Sequence, residues 1–250
     1  MTKYEEKHFK FKKIYSSSDL IYIYQMGKVG SDSIASSLGK GSVEHFHTLY
    51  GMNPNDRSLS NDGVMRLIKK NIFYTIKRWL IKRETKVKII TLVRDPLERD
   101  ISMFFQDINA FISKKRSFDY DSYVKFNSGG IEVLVDLFDE LYDFKYGQEW
   151  FEKELFRFTG INIYNKPLVN GHSLYSNGKY EVLCIDMNSI NSLEDVISKF
   201  CQRKVKIVSR NRSTEKWYQP IYTLFKDRVL EDRERFQKKY HDSKFNKWYN

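Results

Sequence analysis

The sequence reads Leu-Ile-Tyr-Ile-Tyr-Gln-Met-Gly-Lys-Val-Gly at residues 20–30 and continues as Ser-Asp-Ser-Ile-Ala-Ser-Ser-Leu at residues 31–38. The aliphatic and aromatic residues 20–24 are typical of a buried β-strand. Two glycines then allow a tight turn, and the small and apolar residues that follow predict a helix. A strand, a glycine-containing turn and a helix in this order are typical of the beginning of an α/β fold.

The rest of the chain alternates strand-like and helix-like segments. Strands are predicted at residues 42–49, 87–93 and 180–185, and helices at residues 62–82, 98–105, 131–142, 148–158, 193–200 and from 218 onward. This alternation predicts an α/β fold with a mostly parallel central sheet flanked by helices. No repeat or linker-like segment interrupts it, so we expect one domain over residues 1–250. Because ligands bind beyond the carboxyl ends of parallel strands, the junctions at Gly27 and Arg94 form the candidate site.

The composition limits the class of protein and its partners. With 250 residues, 41% of them hydrophobic, the chain is long and apolar enough to fold around a core. The net charge of +11 favours polyanionic partners or peripheral association with an anionic membrane. The two cysteines, Cys184 and Cys201, form no CxxC pair, and no Cys/His cluster has zinc-ligand spacing, so we expect no metal. The charged first residues and the short apolar runs predict a cytoplasmic protein without a transmembrane segment.

The first junction has the features of a phosphate-binding loop. Glycines let the backbone approach an anion closely, and the first N–H groups of the following helix point towards it. Lys28 adds a positive charge, while Ser31 and Ser33 add hydroxyl donors. The lysine precedes Gly30, whereas the Walker A motif places it after the second glycine, which argues against ordinary ATPase chemistry. The alternative is a tight turn in which Ser31 caps the helix and Lys28 is solvated.

The second junction offers a second anion contact. Arg94 follows the strand predicted at 87–93, and its guanidinium presents a planar fork of donors that suits a phosphate. Ser102 lies eight residues later on the following helix and can donate to the same group. The alternative is a local ion-pair cluster of Arg94 with Asp95 or Glu98, which alone means little.

Two stretches together resemble the paired signature of sulfotransferases that use 3′-phosphoadenosine 5′-phosphosulfate (PAPS). They are Tyr-Gln-Met-Gly-Lys-Val-Gly-Ser-Asp-Ser-Ile at residues 24–34 and Ile-Ile-Thr-Leu-Val-Arg-Asp-Pro-Leu-Glu-Arg-Asp-Ile-Ser at residues 89–102. The second stretch is similar to Golgi carbohydrate sulfotransferases, notably the uronyl 2-O type. The chain resembles still more closely bacterial sulfotransferase-like proteins of capsular polysaccharide synthesis, in which segments like Trp150-Phe151 and residues 240–245 recur. The resemblance implies a P-loop-nucleotide-kinase-like sulfotransferase fold.

The resemblance also implies an activity, which is sulfuryl transfer from PAPS to a hydroxyl of a carbohydrate without a metal. The acceptor would be an anionic or lipid-linked glycan of the cell surface or capsule. The implied cofactor-binding residues are Gly27, Lys28, Val29, Gly30, Ser31, Asp32, Ser33, Arg94, Ser102, Arg212 and Lys216. The residues of the glycine loop would hold the 5′-phosphosulfate, and Arg94 with Ser102 would hold the 3′-phosphate. Asp32 departs from the family pattern, because a carboxylate repels a phosphosulfate unless it points away.

Sulfuryl transfer also requires a general base and stabilisation of the leaving group. By the resemblance, Lys28 would stabilise the bridging oxygen as adenosine 3′,5′-bisphosphate leaves. For the base, His47 is preferred to His45, because both share one face of the second strand and His47 lies nearer its carboxyl end. Glu44 points to the opposite face and is a weaker candidate. The alternative is that both histidines are hydrogen-bonded strand residues, and His172 is predicted to be a loop residue.

Two other functions are compatible with the sequence. One is a nucleotide-dependent kinase. The other is a catalytically degenerate protein that binds glycans or other polyanions, and Asp32 in the loop is the residue that favours this second function. No helix-turn-helix, RNP-type or zinc-finger pattern is present, so no nucleic-acid partner is expected. Basic residues within 69–83 would line a cleft for an acidic glycan or form a solvated helix face. The acceptor and the oligomeric state are not specified by the sequence.

Overall fold

The computed structural model describes residues 20–39, 41–51, 61–109, 111, 128–208, 218–240, 243–245 and 248. The helices in chain order are α1 (Ser31–Leu38), α2 (Asn61–Arg83), α3 (Pro96–Gln106), α4 (Ser128–Leu141), α5 (Lys145–Trp150), α6 (Glu194–Cys201), α7 (Gln219–Glu231) and α8 (Arg233–Gln237). A π-helical turn lies at Phe151–Phe156, and short helical turns lie at Arg157–Thr159, Ile163–Asn165, Met187–Ser192 and Lys238–Tyr240. Within these described ranges, no helix is both long and apolar enough to cross a membrane.

The chain divides into two compact units. One comprises Met1–Arg94 and Glu149–Arg210, and the other comprises Asp95–Gln148 and Asn211–Asn250. The first unit contains the whole sheet and the glycine loop. The second unit contains α3, α4, α7 and α8.

The first unit is built on a five-stranded sheet with the strand order β2-β1-β3-β5-β4. Its strands are β1 (Ile21–Tyr24), β2 (Val43–Phe46), β3 (Val87–Val93), β4 (His172–Ser176) and β5 (Tyr180–Asp186). Neighbouring strands are parallel except β4, which pairs antiparallel with β5 at one edge. These observations confirm the predicted α/β fold with a mostly parallel central sheet flanked by helices.

The middle strands β1, β3 and β5 form the core of the sheet because both of their faces are apolar. All four residues of β1 are buried, and so are six of the seven residues of β3. A strand that is covered on both faces needs a nearly continuous apolar run, which is the pattern that predicted these three strands. Because β1 and β3 are parallel neighbours, the loops that leave their carboxyl ends begin at the same edge of the sheet.

Two strands and one helix differ from the sequence-based prediction. β2 ends at Phe46, so His47 follows the strand instead of belonging to it. β4 has no counterpart among the predicted strands, and His172 is its first residue rather than a loop residue. Tyr175 is the buried residue of β4, so this edge strand lacks the apolar pattern that marks the others. The helix expected at 148–158 is divided among α5, the π-helical turn and a final helical turn.

The second unit packs its helices around aromatic side chains. The ring of Phe104 lies 5.2 Å from that of Phe138 and 5.6 Å from that of Phe225, measured between centroids. The ring of Phe138 also lies 5.5 Å from that of Phe236 on α8. These four side chains are fully buried, and burial of such large rings contributes much of the stability of a small core.

A buried polar cluster accompanies this aromatic core. Asp100 forms an ion pair with Arg99 and accepts hydrogen bonds from the hydroxyls of Tyr142 at 2.9 Å and Tyr240 at 2.6 Å. A buried ion pair is tolerated when further hydrogen bonds satisfy its atoms, as they do here for the carboxylate. A Cβ on Gly147 would lie 2.3 Å from the Arg99 guanidinium, so glycine is required there for space.

We predict that Phe138→Ala lowers the free energy of unfolding by about 3–5 kcal/mol, because it leaves a cavity among five aromatic rings. Urea denaturation followed by circular dichroism measures the change. Leu224→Ala on α7 is the control, since Leu224 is 54% exposed and its truncation should change stability little. Equal losses for the two variants would contradict the assigned core.

Candidate functional site

The candidate site lies where the loops that follow β1 and β3 meet. β1 pairs with β3 in the register Ile23 to Ile90, so both strands end at the same edge of the sheet. There, Nη1 of Arg94 donates a hydrogen bond of 3.3 Å to the backbone carbonyl of Lys28. The structure therefore brings together the two junctions that the sequence singled out, within the first unit.

The glycine loop has a backbone suited to an anion. Lys28 and Gly30 both adopt the left-handed conformation, with φ angles of 70° and 79°. A turn that contains left-handed residues can direct successive N–H groups towards one point and so form a concave anion-binding nest. A Cβ on Gly30 would lie 2.9 Å from Cγ of Met187, so glycine is needed here for conformation and for space. Val29, between the two left-handed residues, is fully buried and anchors the loop.

No side chain caps the start of α1. Gly30 occupies the N-cap position of α1, and no side chain accepts a hydrogen bond from the first turn there. This corrects the alternative in which Ser31 caps the helix; Ser31 is instead a buried residue of the first turn. Helix N-terminal N–H groups that lack a side-chain cap bind water or an anion.

Asp32 occupies the first turn of α1 and is exposed. Burial is the largest cause that lowers the pKa of His45, and the negative charge of Asp32 opposes this lowering. A carboxylate in a first helical turn is also stabilised by the helix dipole. Asp32 therefore competes with a bound anion for the same positive potential.

One other predicted cofactor residue belongs to the second unit, and two lie outside the described ranges. Ser102 belongs to the second unit, where its hydroxyl lies 2.9 Å from that of Tyr222. Asp95 accepts from the backbone N–H of Glu98 at 3.0 Å and so caps α3, and it also pairs with Arg233. Arg212 and Lys216, with the rest of residues 209–217, lie outside the described residues.

His45 and His47 lie side by side at the same edge of the sheet, with ring centroids 4.8 Å apart. The pKa of His45 is lowered to about 4, mainly by burial and in smaller part by the neighbouring His47. His45 is therefore neutral at pH 7. Its Nε2 atom is buried and has no hydrogen-bond partner among the described residues.

His47 has the better geometry for a general base. Its ring is exposed, and Nδ1 lies 3.1 Å from the backbone carbonyl oxygen of Gln25. A carbonyl oxygen only accepts, so Nδ1 carries the proton and donates it to Gln25. In the neutral ring Nε2 is then left as the proton acceptor, which is the state that a general base requires.

The remaining base candidates have other environments. Glu44 pairs with Lys77 at 2.8 Å on the face of the sheet opposite to His45, as the alternation of strand residues predicts. His172 pairs with Ile185 near the carboxyl end of β5, and its Nδ1 lies 3.4 Å from the carbonyl of Asn170. Among the residues that the structure describes, no group of three or more His, Cys, Asp or Glu side chains could hold a metal.

Two residues that position the His47 loop were not assigned this role from the sequence. Nε1 of Trp150 donates a 2.9 Å hydrogen bond to the carbonyl of His47. Glu154, which is fully buried, accepts from the Thr48 hydroxyl at 2.6 Å and the Leu49 N–H at 2.7 Å. It also accepts from the Tyr24 hydroxyl at 2.5 Å and from the backbone N–H that follows Leu49. In the sequence, Glu154 is one of several charged residues in a helical segment, and its partners are more than a hundred positions away.

We predict that Glu154→Ala speeds hydrogen exchange at the amides of Leu49 and Tyr50 and lowers the free energy of unfolding by about 3 kcal/mol. The physical reason is that several buried donors lose their acceptor. Exchange measured by mass spectrometry and urea denaturation test this. Glu154→Gln keeps one acceptor oxygen and should have a smaller effect, and the exposed Glu152→Gln is the control. Unchanged exchange in Glu154→Ala would contradict the positioning role.

We predict that stability falls as the pH is lowered from about 6.5 to 4, in part because of His45. The unfolded chain binds a proton on this ring near pH 6.5, whereas the folded chain binds it near pH 4. The contribution of the neutral His45 ring to the free energy of unfolding is therefore complete above pH 6.5, and it is lost between pH 6.5 and pH 4. It is on the order of 2 kcal/mol, which allows for partial exposure of the ring.

His45→Gln should remove this part of the pH dependence, measured as urea midpoints at pH 7 and pH 5. An NMR titration of the His45 ring gives the pKa directly. A pKa near the ordinary histidine value would contradict the burial assigned to the ring.

Comparison of this chain with protein-family models, with curated proteins and with solved structures finds no match. The function is therefore argued from the site itself. That site combines a left-handed glycine loop, a helix start without a side-chain cap, a lysine, an arginine and an exposed histidine at one edge of a parallel sheet. These groups offer N–H donors and positive charge to an anion, and the histidine offers a ring nitrogen as a proton acceptor.

Proposed function

We propose that the protein is a PAPS-dependent sulfotransferase that transfers a sulfuryl group to a hydroxyl of a carbohydrate. The observation that carries this proposal is the hydrogen bond between Arg94 and the Lys28 carbonyl. It places a guanidinium beside the glycine loop, so two anionic groups of one ligand could be held at adjacent strand ends. The sequence resemblance of residues 24–34 and 89–102 to sulfotransferases supports the same conclusion, and with it a P-loop-nucleotide-kinase-like sulfotransferase fold.

The residues present fit such a ligand. The left-handed loop at Lys28 and Gly30 and the uncapped start of α1 suit the 5′-phosphosulfate, whose oxygens accept N–H hydrogen bonds. Arg94, whose guanidinium carries five donors in a fixed fork, suits the 3′-phosphate. When bound, PAPS supplies an activated sulfuryl group.

The protein contributes charge and proton transfer. The Lys28 ammonium would stabilise the negative charge left on the bisphosphate when the donor gives up its sulfuryl group. Nε2 of His47 accepts the proton of the attacking acceptor hydroxyl, and Nδ1 remains bonded to the Gln25 carbonyl. The hydrogen bonds of Trp150 and Glu154 to the loop keep this ring in place.

The carbohydrate acceptor rests on the resemblance to enzymes of glycan sulfation. The excess of Lys and Arg, 43 against 32 acidic residues, supports an acceptor that is anionic. A kinase is a weaker proposal, since the lysine of the loop precedes Gly30.

The test is calorimetric titration with adenosine 3′,5′-bisphosphate, ADP and ATP. We expect the bisphosphate to bind best and Arg94→Ala to weaken its binding about tenfold or more, because a charge-assisted contact is lost. Lys204→Ala, at an exposed position of the same unit, is the control and should bind normally. Preference for ATP would favour a kinase. Equal binding of all three nucleotides would favour a general polyanion binder.

Two further variants separate binding from transfer. Lys28→Ala should reduce release of bisphosphate from PAPS in the presence of acidic glycans by about a hundredfold or more. Normal turnover in this variant would overturn the assigned mechanism.

Asp32→Asn should strengthen bisphosphate binding by up to about fivefold, since it removes a competing charge from the first turn of α1.

A further inference from the structure

The outer face of α2 is apolar and exposed. Ile68, Ile72, Ile76 and Trp79 are 46%, 55%, 46% and 54% exposed. At spacings of four, four and three residues, they form one continuous stripe along the helix. Phe73, which is 46% exposed, widens it. Isolated exposed apolar residues need no explanation, but a contiguous stripe of this kind marks an interaction surface.

The opposite side of α2 is fixed to the sheet, so the stripe stays outward. Lys77 is 3% exposed, and its ammonium lies 2.8 Å from Glu44 on β2 and 3.9 Å from the ring centroid of Phe46. Arg78 donates to the backbone carbonyl of Leu49. Lys77 and Arg78 are therefore engaged inside the first unit, and the buried Lys77 fits neither alternative given for the basic residues of this helix, a glycan cleft or a solvated face.

Three exposed basic residues of α2 flank the apolar stripe. Lys69, Lys82 and Arg83 are exposed, with Lys69 near one end of the stripe and the other two at its carboxyl end. The guanidinium of Arg83 lies 4.5 Å from the centroid of the Trp79 ring. Residues 68–83, the part of α2 whose side chains are described, include no acidic residue.

We propose that α2 docks the protein on an anionic lipid surface, parallel to the membrane plane. The isoleucines would enter the boundary between headgroups and acyl chains, and Trp79 would lie at the headgroup level. Lys69, Lys82 and Arg83 would contact lipid phosphates, with their apolar stems along the stripe. This inference stands independently of the proposed sulfotransferase activity.

The charge pattern favours a membrane over other occupants. Two copies that met through this face would bring the basic ends of both stripes into one interface without an acidic residue from 68–83 between them. A free glycan could stack a sugar ring on Trp79, but its hydroxyls and carboxylates gain nothing from the three exposed isoleucines. An anionic bilayer meets both requirements, since it supplies negative charge at its surface and an apolar layer beneath it.

The experiment is co-sedimentation of the full chain with vesicles of phosphatidylcholine alone and of phosphatidylcholine containing about one-third phosphatidylglycerol. We expect binding to the anionic vesicles, weakened by salt, and little binding to the neutral ones. Ile72→Ser/Ile76→Ser should weaken binding about tenfold or more, and Lys69→Gln/Lys82→Gln should weaken it by a similar factor. Val169→Ser/Leu174→Ser removes exposed apolar residues of the same unit and is the matched control.

A spectroscopic measurement tests insertion separately from charge attraction. Vesicles that contain brominated lipid should quench tryptophan fluorescence, and Trp79→Phe should remove most of this quenching. Failure to bind anionic vesicles would overturn the proposal, and so would binding that Ile72→Ser/Ile76→Ser leaves unchanged. A dimer in sedimentation velocity that dissociates in this double variant would overturn it too, because a second copy would then cover the face.

Discussion

The parallel pairing of β1 with β3 is the constraint on which the candidate site depends. It fixes the edge at which both strands end, and so it sets the glycine loop beside Arg94. Neither residue type would make a site alone, since an arginine at a strand end and a glycine turn are each common. Their meeting depends on backbone hydrogen bonds between buried apolar strands, and those bonds are insensitive to the chemistry of the loops. The core therefore supplies the geometry, and the loops supply the charge.

A second constraint acts on the loop after β2. The Glu154 carboxylate gathers donors from that loop and from Tyr24, and all of them lie within the first unit. A buried carboxylate loses its hydration, and this loss is offset only if nearly every lone pair is satisfied. The π-helical turn that carries Glu154 contains about one residue more per turn than an α-helix. The side chain of Glu154 therefore points in a different direction than it would in an α-helix. These hydrogen bonds tie the residues that follow His47 to the π-helical turn.

The sequence predicted those features that depend on local pattern. β1, β3 and β5 are buried on both faces, so their apolar runs identified them, and the glycine loop was identified by its residues. The features it missed depend on distant partners. β4 is an edge strand with one buried residue, and its pairing with β5 supplies what its own sequence lacks. Ser31 resembled an N-cap, but the left-handed conformation of Gly30 moved the cap one residue earlier. The residues next to Glu154 in the sequence do not indicate that its partners lie more than a hundred positions away.

The left-handed backbone of Lys28 has a consequence for how this loop tolerates change. A residue with a Cβ costs about 1 kcal/mol or more in this conformation, whereas glycine adopts it freely. Replacing the lysine by glycine would thus relieve local strain while it removed the positive charge from the anion nest. Folding and the proposed anion binding make opposite demands on this position, because glycine would relieve the strain and lysine provides the charge.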